Sequence, residues 1–250
     1  MTHERQDCPR RRDRRGANTT SKHIPGLQAI DGVEIVGVCN RSLESSARVA
    51  TEFGIAKSYA KWSDAIADPD TNAIVIGTWP YMHSRLTLAA LAVGKHVMCE
   101  ARMAMNATEA HLMRAAARAN PHLVAQIVPS PMTLRVDKTI KRLIAEGYLG
   151  AIAAIEVRAG GVFLDTDGPM HWRHDFDLSG MNIMSMGIWY EAVLRWVGAA
   201  TRVSATGKTF IKQRRGADGL LKPVRIPEHI DVVADMACGA QMHMQISGVT

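Results

Sequence analysis

Two charged side chains stand where a ligand could be bound or a developing charge stabilised. Glu100 and Arg102 flank Ala101 directly after the apolar stretch KHVMC, and the loop that carries them contains no lysine. A guanidinium offers a fixed charge and hydrogen-bond donors, but it stays protonated near neutral pH. The pair therefore predicts an electrostatic or binding role in which Arg102 cannot transfer a proton.

Polar residues also follow two earlier apolar segments. Asn40 and Arg41 come directly after VEIVGVC, and Thr78, Pro80 and His83 lie at or just after the end of NAIVIGT. Ligands of open α/β sheets bind outside the carboxyl ends of the strands, so these positions predict a dinucleotide site. The amide followed by an arginine favours a 2′-phosphate over a ribose diol, but a helix cap with a surface arginine explains it equally well. A cap or packing role is the more usual one for a lone histidine such as His83.

Short apolar segments alternate with amphipathic segments in the first half of the chain, which places these polar residues at strand ends. The capping-box spacing of Asn106 and Glu109 predicts the start of one helix. Such alternation predicts βαβ units and a parallel sheet. Strands are predicted at 33–39, 72–78, 95–99 and 122–128, with helices between them.

The pattern changes near Pro129. A long amphipathic helix closed by Gly147 is followed by a strand, a polar loop at 164–179, a helix at 182–198 and strand-like segments at 202–211 and 231–247. This order predicts an α+β second domain. We therefore divide the chain into a basic tail (1–15), a dinucleotide-binding domain (16–128) and a substrate or oligomerisation domain (129–250).

Charge and composition restrict the partners. The net charge is +6, but residues 1–15 contain six arginines and contribute half of it. This local charge predicts a disordered, solvated tail, and we expect no nucleic-acid partner. No apolar run approaches the roughly 20 residues that span a bilayer, so no membrane partner is expected. Four scattered cysteines without CxxC spacing predict reduced thiols, a cytoplasmic protein and no metal site.

Two longer motifs carry a resemblance to a known family. The stretch TWPYMH contains Thr78, Pro80 and His83, and GKHVMCE runs from Gly94 to Glu100. Together with IAEGYLG they resemble the Gfo/Idh/MocA family of NAD(P)-dependent oxidoreductases over about residues 16–248. The resemblance implies a Rossmann-like, doubly wound parallel sheet followed by an α+β domain with an open, mostly antiparallel sheet.

The same resemblance implies a function. The expected reaction moves a hydride between NADP or NAD and a hydroxyl carbon of a sugar, a polyol or a related small molecule. The expected cofactor contacts are made by amide groups near Gly16 and Ala17, and by the strand-end residues Asn40, Arg41, Thr78, Pro80, His83 and Glu100. A homo-oligomer formed through the sheet of the second domain is a further expectation.

The sequence departs from the family pattern at its proton-transfer positions. Ala101 stands where the family has a lysine, and Ser185 and Trp189 stand where it has an aspartate and a histidine. We predict that Arg102 supplies the missing charge and that Tyr190 takes the proton, with His174 as the second choice. The alternative is a catalytically impaired nucleotide-binding protein of the same fold.

The two ends of the chain also differ from the family. The family begins with an apolar strand and a G-x-G-x-x-G turn, whereas here a charged run precedes Gly16. A charged run of this kind is not expected to form a central strand. We therefore predict that the first core strand is absent or replaced, and that the second sheet is incomplete at Thr250.

Overall fold

The computed structural model describes residues 18–129, 131–160, 165–183 and 185–249. The predicted basic tail, Gly16 and Ala17 lie outside the described residues, as does Thr250. The chain enters the described part through a π-helical turn at Thr19–His23.

Parallel strands form the first domain, as predicted. They lie in two groups, with β1 paired to β2 and with β4 between β3 and β5. The strands are β1 (Gly37–Cys39), β2 (Lys57–Tyr59), β3 (Ala73–Ile76), β4 (His96–Cys99) and β5 (Ala125–Ile127).

The observed strands are shorter than the predicted ones, and one strand was missed. The strand predicted at 33–39 begins only at Gly37, because three residues pair with β2, and Val33 and Glu34 before them are exposed. The missed strand β2 has the polar sequence KSY. Its Lys57 ammonium lies 2.8 Å from the Asp68 carboxylate. An ion-paired edge strand of three residues carries no apolar periodicity, so the sequence pattern could not reveal it.

The two groups of strands are separate within the described residues. The usual order of a doubly wound sheet places the strand that precedes β1 in sequence between β1 and β3. No hydrogen-bonded pairing joins β1 to β3 in the part of the chain that the structure describes. The prediction that the first core strand is absent or replaced concerns residues outside this part and stays a prediction.

Helix ends follow the predicted capping signals. The Asn106 side chain accepts a hydrogen bond from the Glu109 N–H at 3.0 Å, while the Glu109 carboxylate accepts one from the Met105 N–H. Gly54, with φ 66°, ends the second helix. The helices of this domain are α1 (Ile24–Gln28), α2 (Leu43–Phe53), α3 (Trp62–Ala67), α4 (His83–Ala92) and α5 (Ala107–Ala119).

A mixed four-stranded sheet forms the second domain. Its order is β6-β11-β10-β7, in which β6 and β11 are parallel and the other two pairings are antiparallel. The predicted α+β architecture is confirmed, and a short hairpin of β8 and β9 is an element that the sequence did not reveal. The elements are α6 (Pro131–Ala145), β6 (Ala154–Ala159), α7 (Phe176–Ser179), α8 (Met186–Val197), β7 (Ala200–Lys208), β8 (Gln213–Arg215), β9 (Leu221–Pro223), β10 (His229–Met236) and β11 (Gln241–Ser247).

The core of this domain lies between its sheet and α8. Alternating residues of β10 and β11, such as Val232 and Met244, are buried against Val193 of the helix. None of the helices in the described ranges is long and apolar enough to cross a membrane. Within the same ranges, no group of three or more His, Cys, Asp or Glu side chains is arranged to hold a metal ion.

Candidate active site

The buried imidazole of His83 joins two of the strand-end loops. Its Nδ1 lies 2.8 Å from the Arg102 carbonyl oxygen and its Nε2 lies 3.0 Å from the Thr78 carbonyl oxygen. The ring is fully buried, as is Pro80. His83 therefore fixes the loop after β3 against the loop after β4. The sequence left two roles open for His83, a cofactor contact and a cap or packing role. The buried position fits packing.

Glu100 is held by the first helical segment. Its carboxylate lies 2.5 Å from Nε2 of His23 and accepts hydrogen bonds from the Ala101 N–H at 3.0 Å and the Asn18 amide at 3.4 Å. His23 and Asn18 were not predicted as partners of Glu100, because they lie 77 and 82 residues away from it without any shared motif. The predicted cofactor-side carboxylate is thus bonded to the residues that follow Gly16 and Ala17.

Arg102 reaches from the first domain to the second. Its guanidinium donates a hydrogen bond to Oδ1 of Asn182, which is 2% exposed. The backbones also meet closely there, since a Cβ on Gly180 would lie 2.3 Å from the Met105 carbonyl oxygen. Burial, and to a smaller extent the charge of Arg173, lowers the pKa of Arg102 to about 10, so the guanidinium remains charged at neutral pH.

The polar loop of the second domain adds His174 to this region. Burial first, and then the positive charges of Arg214, His171 and Arg173, lower the pKa of His174 to about 4. Its Nδ1 accepts a hydrogen bond from the His171 N–H at 3.4 Å. The imidazole is therefore neutral at pH 7, with its proton on Nε2.

Two tryptophans from different domains stack beside these charges. The Trp79 and Trp172 ring centroids are 6.1 Å apart, with 15° between the ring planes. The Arg41 guanidinium lies 5.1 Å from the Trp79 ring centroid, and the Arg173 guanidinium lies 4.3 Å from the Trp172 centroid. Arg41, Trp79, Trp172 and Arg173 therefore form a continuous row of side-chain contacts. This row connects the loop after β1 to the polar loop of the second domain.

A polar cavity of about 310 Å³ opens beside Arg41 at the start of α2. Ser42 caps that helix, and the neighbouring Asn40 donates its side-chain amide to the Ser45 carbonyl oxygen at 3.1 Å. The cavity is lined by Arg41, Ser42, Glu44, Ser45 and Arg48. Two guanidinium groups and a helix N-terminus suit an anion, although Glu44 contributes an opposing charge.

Tyr190 lies in a different environment. Its hydroxyl accepts a hydrogen bond from the Ala200 N–H at 3.1 Å, and its ring packs against the core of the second domain. Trp189 packs against the same core, and Ser185 is the residue that precedes α8. The structure thus brings Glu100, Arg102 and His174 together through Arg173, and gives Tyr190 no polar contact with them among the described residues.

Comparison with known proteins identifies the fold and its family. The model described as the oxidoreductase family with an NAD-binding Rossmann fold matches residues 16–127, and the model of the Gfo/Idh/MocA C-terminal domain matches residues 138–250. The chain belongs to the Gfo/Idh/MocA family. The predicted Rossmann-like architecture is confirmed, and a nicotinamide dinucleotide is the cofactor that this family fold implies.

Members of the Gfo/Idh/MocA family that resemble this chain include curated and solved proteins. The 1,5-anhydro-D-fructose reductase of Ensifer adhaerens is 33% identical over 150 residues, which are 57% of this chain and 43% of the relative. A levoglucosan dehydrogenase solved with NADH and L-sorbose superposes with a TM-score of 0.78 at 21% identity, over 94% of this chain and 64% of its own. The WlbA dehydrogenase of Bordetella pertussis, solved with NADH and UDP-GlcNAcA, gives a TM-score of 0.78 at 18% identity, over 94% and 65%. The chain spans about half the length of the curated relatives it matches.

Proposed function

We propose that this chain acts as an NAD(P)-dependent oxidoreductase on a hydroxyl carbon of a sugar, a polyol or a related compound. The observation that carries the proposal is the charged cluster at the carboxyl end of β4. There Glu100 and Arg102 of the first domain meet Arg173, His174 and Asn182 of the second. The carboxyl ends of parallel strands, at a domain boundary, are where this type of fold binds ligands.

The residues present fit a nicotinamide dinucleotide. The cavity beside Arg41 suits the adenosine end, because Arg41 and Arg48 can pair with a phosphate and the face of Trp79 is aromatic. Glu100 is bonded to Asn18 and His23, which follow the predicted cofactor contacts Gly16 and Ala17 in the sequence. When bound, the nicotinamide ring supplies the hydride acceptor or donor.

Arg102 provides the positive charge for the reacting oxygen. A half-buried guanidinium can stabilise negative charge that develops there, but its proton stays in place at neutral pH. His174 is the better placed of the two predicted proton carriers, because it lies beside Arg173 whereas the Tyr190 hydroxyl contacts Ala200. In our proposal, His174 exchanges the proton of the substrate hydroxyl.

The Asn40-Arg41 pair supports a preference for NADP over NAD. The Asn40 amide is bonded to the Ser45 carbonyl oxygen of α2. The Arg41 guanidinium, in contrast, lies over the Trp79 ring and lines the cavity. An acidic side chain at this strand end would instead pair with the ribose diol.

The alternative is a nucleotide-binding protein that does not turn over. Ala101 in place of lysine, and the engagement of the Tyr190 hydroxyl by a main-chain N–H, both favour it. The test measures NAD(P)-linked oxidation of a panel of sugars and polyols by the wild-type chain, by Arg102→Gln and by the control Arg225→Gln. Arg225 is an exposed arginine that pairs with Asp177.

The proposal expects turnover by the wild type and the control, and a loss of about 100-fold or more in Arg102→Gln. Dinucleotide binding by all three chains without any turnover would support the alternative.

A further inference from the structure

Positive charge is concentrated between the two domains. After burial, the charge of Arg173 lowers the pKa of Arg102, and the charges of Arg214 and Arg173 both lower the pKa of His174. The charge of the Glu100 carboxylate acts on Arg173, but the carboxylate is already bonded to His23 and to the Ala101 N–H. Among the described residues, neither Arg173 nor Arg214 forms an ion pair with a carboxylate. The cluster therefore carries more positive than negative charge.

Two buried donors in this region point to a missing acceptor. Asn182 is 2% exposed, and its Nδ2 has no hydrogen-bond partner in the described structure. The orientation of this amide is fixed, because Arg102 can only donate and Oδ1 must face it. Arg214 is 6% exposed, and its Nε also has no partner among the described groups, although its Nη1 donates to the Asp165 and Gly168 carbonyl oxygens.

Buried N–H groups ordinarily find an acceptor, so the unpartnered Asn182 and Arg214 donors are costly unless a ligand accepts from one of them. The positive charges of Arg102, Arg173 and Arg214 favour an anionic acceptor at this place. A neutral sugar hydroxyl can accept a hydrogen bond but leaves the charge unbalanced. A carboxylate has two oxygens that accept charge-assisted hydrogen bonds from guanidinium and amide donors.

We propose that the substrate of this site carries a carboxylate, as a sugar acid does, and that Arg102, Arg173 and the Asn182 amide bind it. Arg214 adds to the positive field around His174. The inference rests on the proposed oxidoreductase function, since it names the substrate class of that same site. The phosphates of the dinucleotide have a separate basic cavity, at Arg41 and Arg48.

The test compares matched acid and neutral ligands by calorimetric titration of the dinucleotide-loaded chain. The pairs are glucuronate with glucose, galacturonate with galactose, and gluconate with glucitol, and a hexose phosphate serves as the other anion. We expect at least one acid to bind ten times or more tighter than its neutral partner. Arg173→Gln should weaken that binding by about tenfold to a hundredfold, because a charge-assisted hydrogen bond is lost.

Two controls separate this inference from the proposed function. Arg225→Gln removes an exposed arginine near the same loop and should change acid binding less than twofold. NAD(P)H affinity, measured on the same variants, should be unaffected by Arg173→Gln. A chain that does not bind the dinucleotide contradicts the proposed function itself. The carboxylate inference is overturned if the loaded chain binds every acid no better than its neutral partner, if it prefers the hexose phosphate, or if Arg173→Gln weakens dinucleotide binding in place of acid binding.

Discussion

Trp79 and Trp172 stack with nearly parallel rings across the boundary between the two domains, with 6.1 Å between their ring centroids. Each tryptophan carries a guanidinium near its ring, Arg41 on one side and Arg173 on the other. The stack therefore positions the loop that carries His174 relative to the end of β3.

The stack gives a direct prediction for Trp172→Leu. Stacked aromatic pairs contribute about 0.5–1.5 kcal/mol beyond their buried area, so the free energy of unfolding should fall by at least that amount. Two indoles this close couple their transitions, and we expect the resulting near-ultraviolet circular dichroism signal to disappear. Trp172→Phe keeps an aromatic ring and should keep most of the stability. An unchanged dichroism spectrum in Trp172→Leu would show that the rings do not stack in solution.

Gly180 gives the second prediction, through its contact with Met105. The residue has φ 64° and ψ −156°, and an added Cβ would lie 2.3 Å from a main-chain oxygen that cannot rotate away. We expect the backbone conformation alone to make Gly180→Ala lower the free energy of unfolding by about 1–3 kcal/mol. The contact with the Met105 oxygen should add to this loss. Thermal or urea unfolding measures this change.

Gly187 provides the matched control for that substitution. It lies in α8, and apart from its chain neighbours and the helix's own backbone no atom comes within 4 Å of an added Cβ. Gly187→Ala should leave stability unchanged or raise it by about 0.5–1 kcal/mol, as alanine is the better helix former. Equal destabilisation by both substitutions would contradict the close approach of the two domains at Gly180.

The sequence predicted the parts of this fold that leave a local pattern. The capped ends of α2 and α5, the parallel strands β3, β4 and β5, and the α+β second domain all follow from periodicity and capping residues. It did not reveal β2 or the β8–β9 hairpin, because strands of only three residues are too short to show a periodic signal.

The candidate site was predicted only in part, for a related reason. Residues at strand ends, such as Glu100 and Arg102, could be found from their position after apolar runs. Their partners could not be found in this way, because His23 and Asn182 lie about 80 residues away along the chain. The Trp79–Trp172 stack likewise depends on how the two domains meet, and no local pattern contains that information.

His174 predicts a pH dependence of stability. Its pKa in the folded chain is about 4, whereas an unfolded histidine titrates near 6.5. Between these two values the unfolded chain binds more protons than the folded chain, so stability is lost as the pH falls through this window. In His174→Gln, which cannot be protonated, this part of the loss should be absent.

The measurement is urea unfolding at several pH values between about 7 and 4, followed by the fluorescence of the tryptophans. Both chains should lose stability to carboxylate protonation toward the acid end, so the difference between them is the quantity of interest. A wild-type curve that runs parallel to the His174→Gln curve would show that the imidazole is not held neutral in the folded chain.

Arg41 predicts the choice of cofactor. Arg41→Ala should weaken NADPH binding by about tenfold or more, since an Arg–phosphate hydrogen-bonded pair is lost, and should change NADH binding far less. Titration of each dinucleotide against each chain measures both affinities, and NADH acts as the internal control. Equal losses for the two dinucleotides would place Arg41 at a group that both share.

Substitution of Tyr190 distinguishes two roles of its hydroxyl, a structural hydrogen bond and proton transfer. The hydroxyl accepts a hydrogen bond from the Ala200 N–H, so Tyr190→Phe should lower the free energy of unfolding by about 1 kcal/mol. If the proton passes through His174, Tyr190→Phe should keep its turnover, whereas His174→Gln should lose about 100-fold or more. If Tyr190 is the proton carrier, as the sequence alone suggested, Tyr190→Phe should lose turnover and His174→Gln should keep it. The decisive measurement is the pH profile of turnover for both variants at a temperature well below their unfolding midpoints, because loss of structure then cannot imitate loss of a proton carrier.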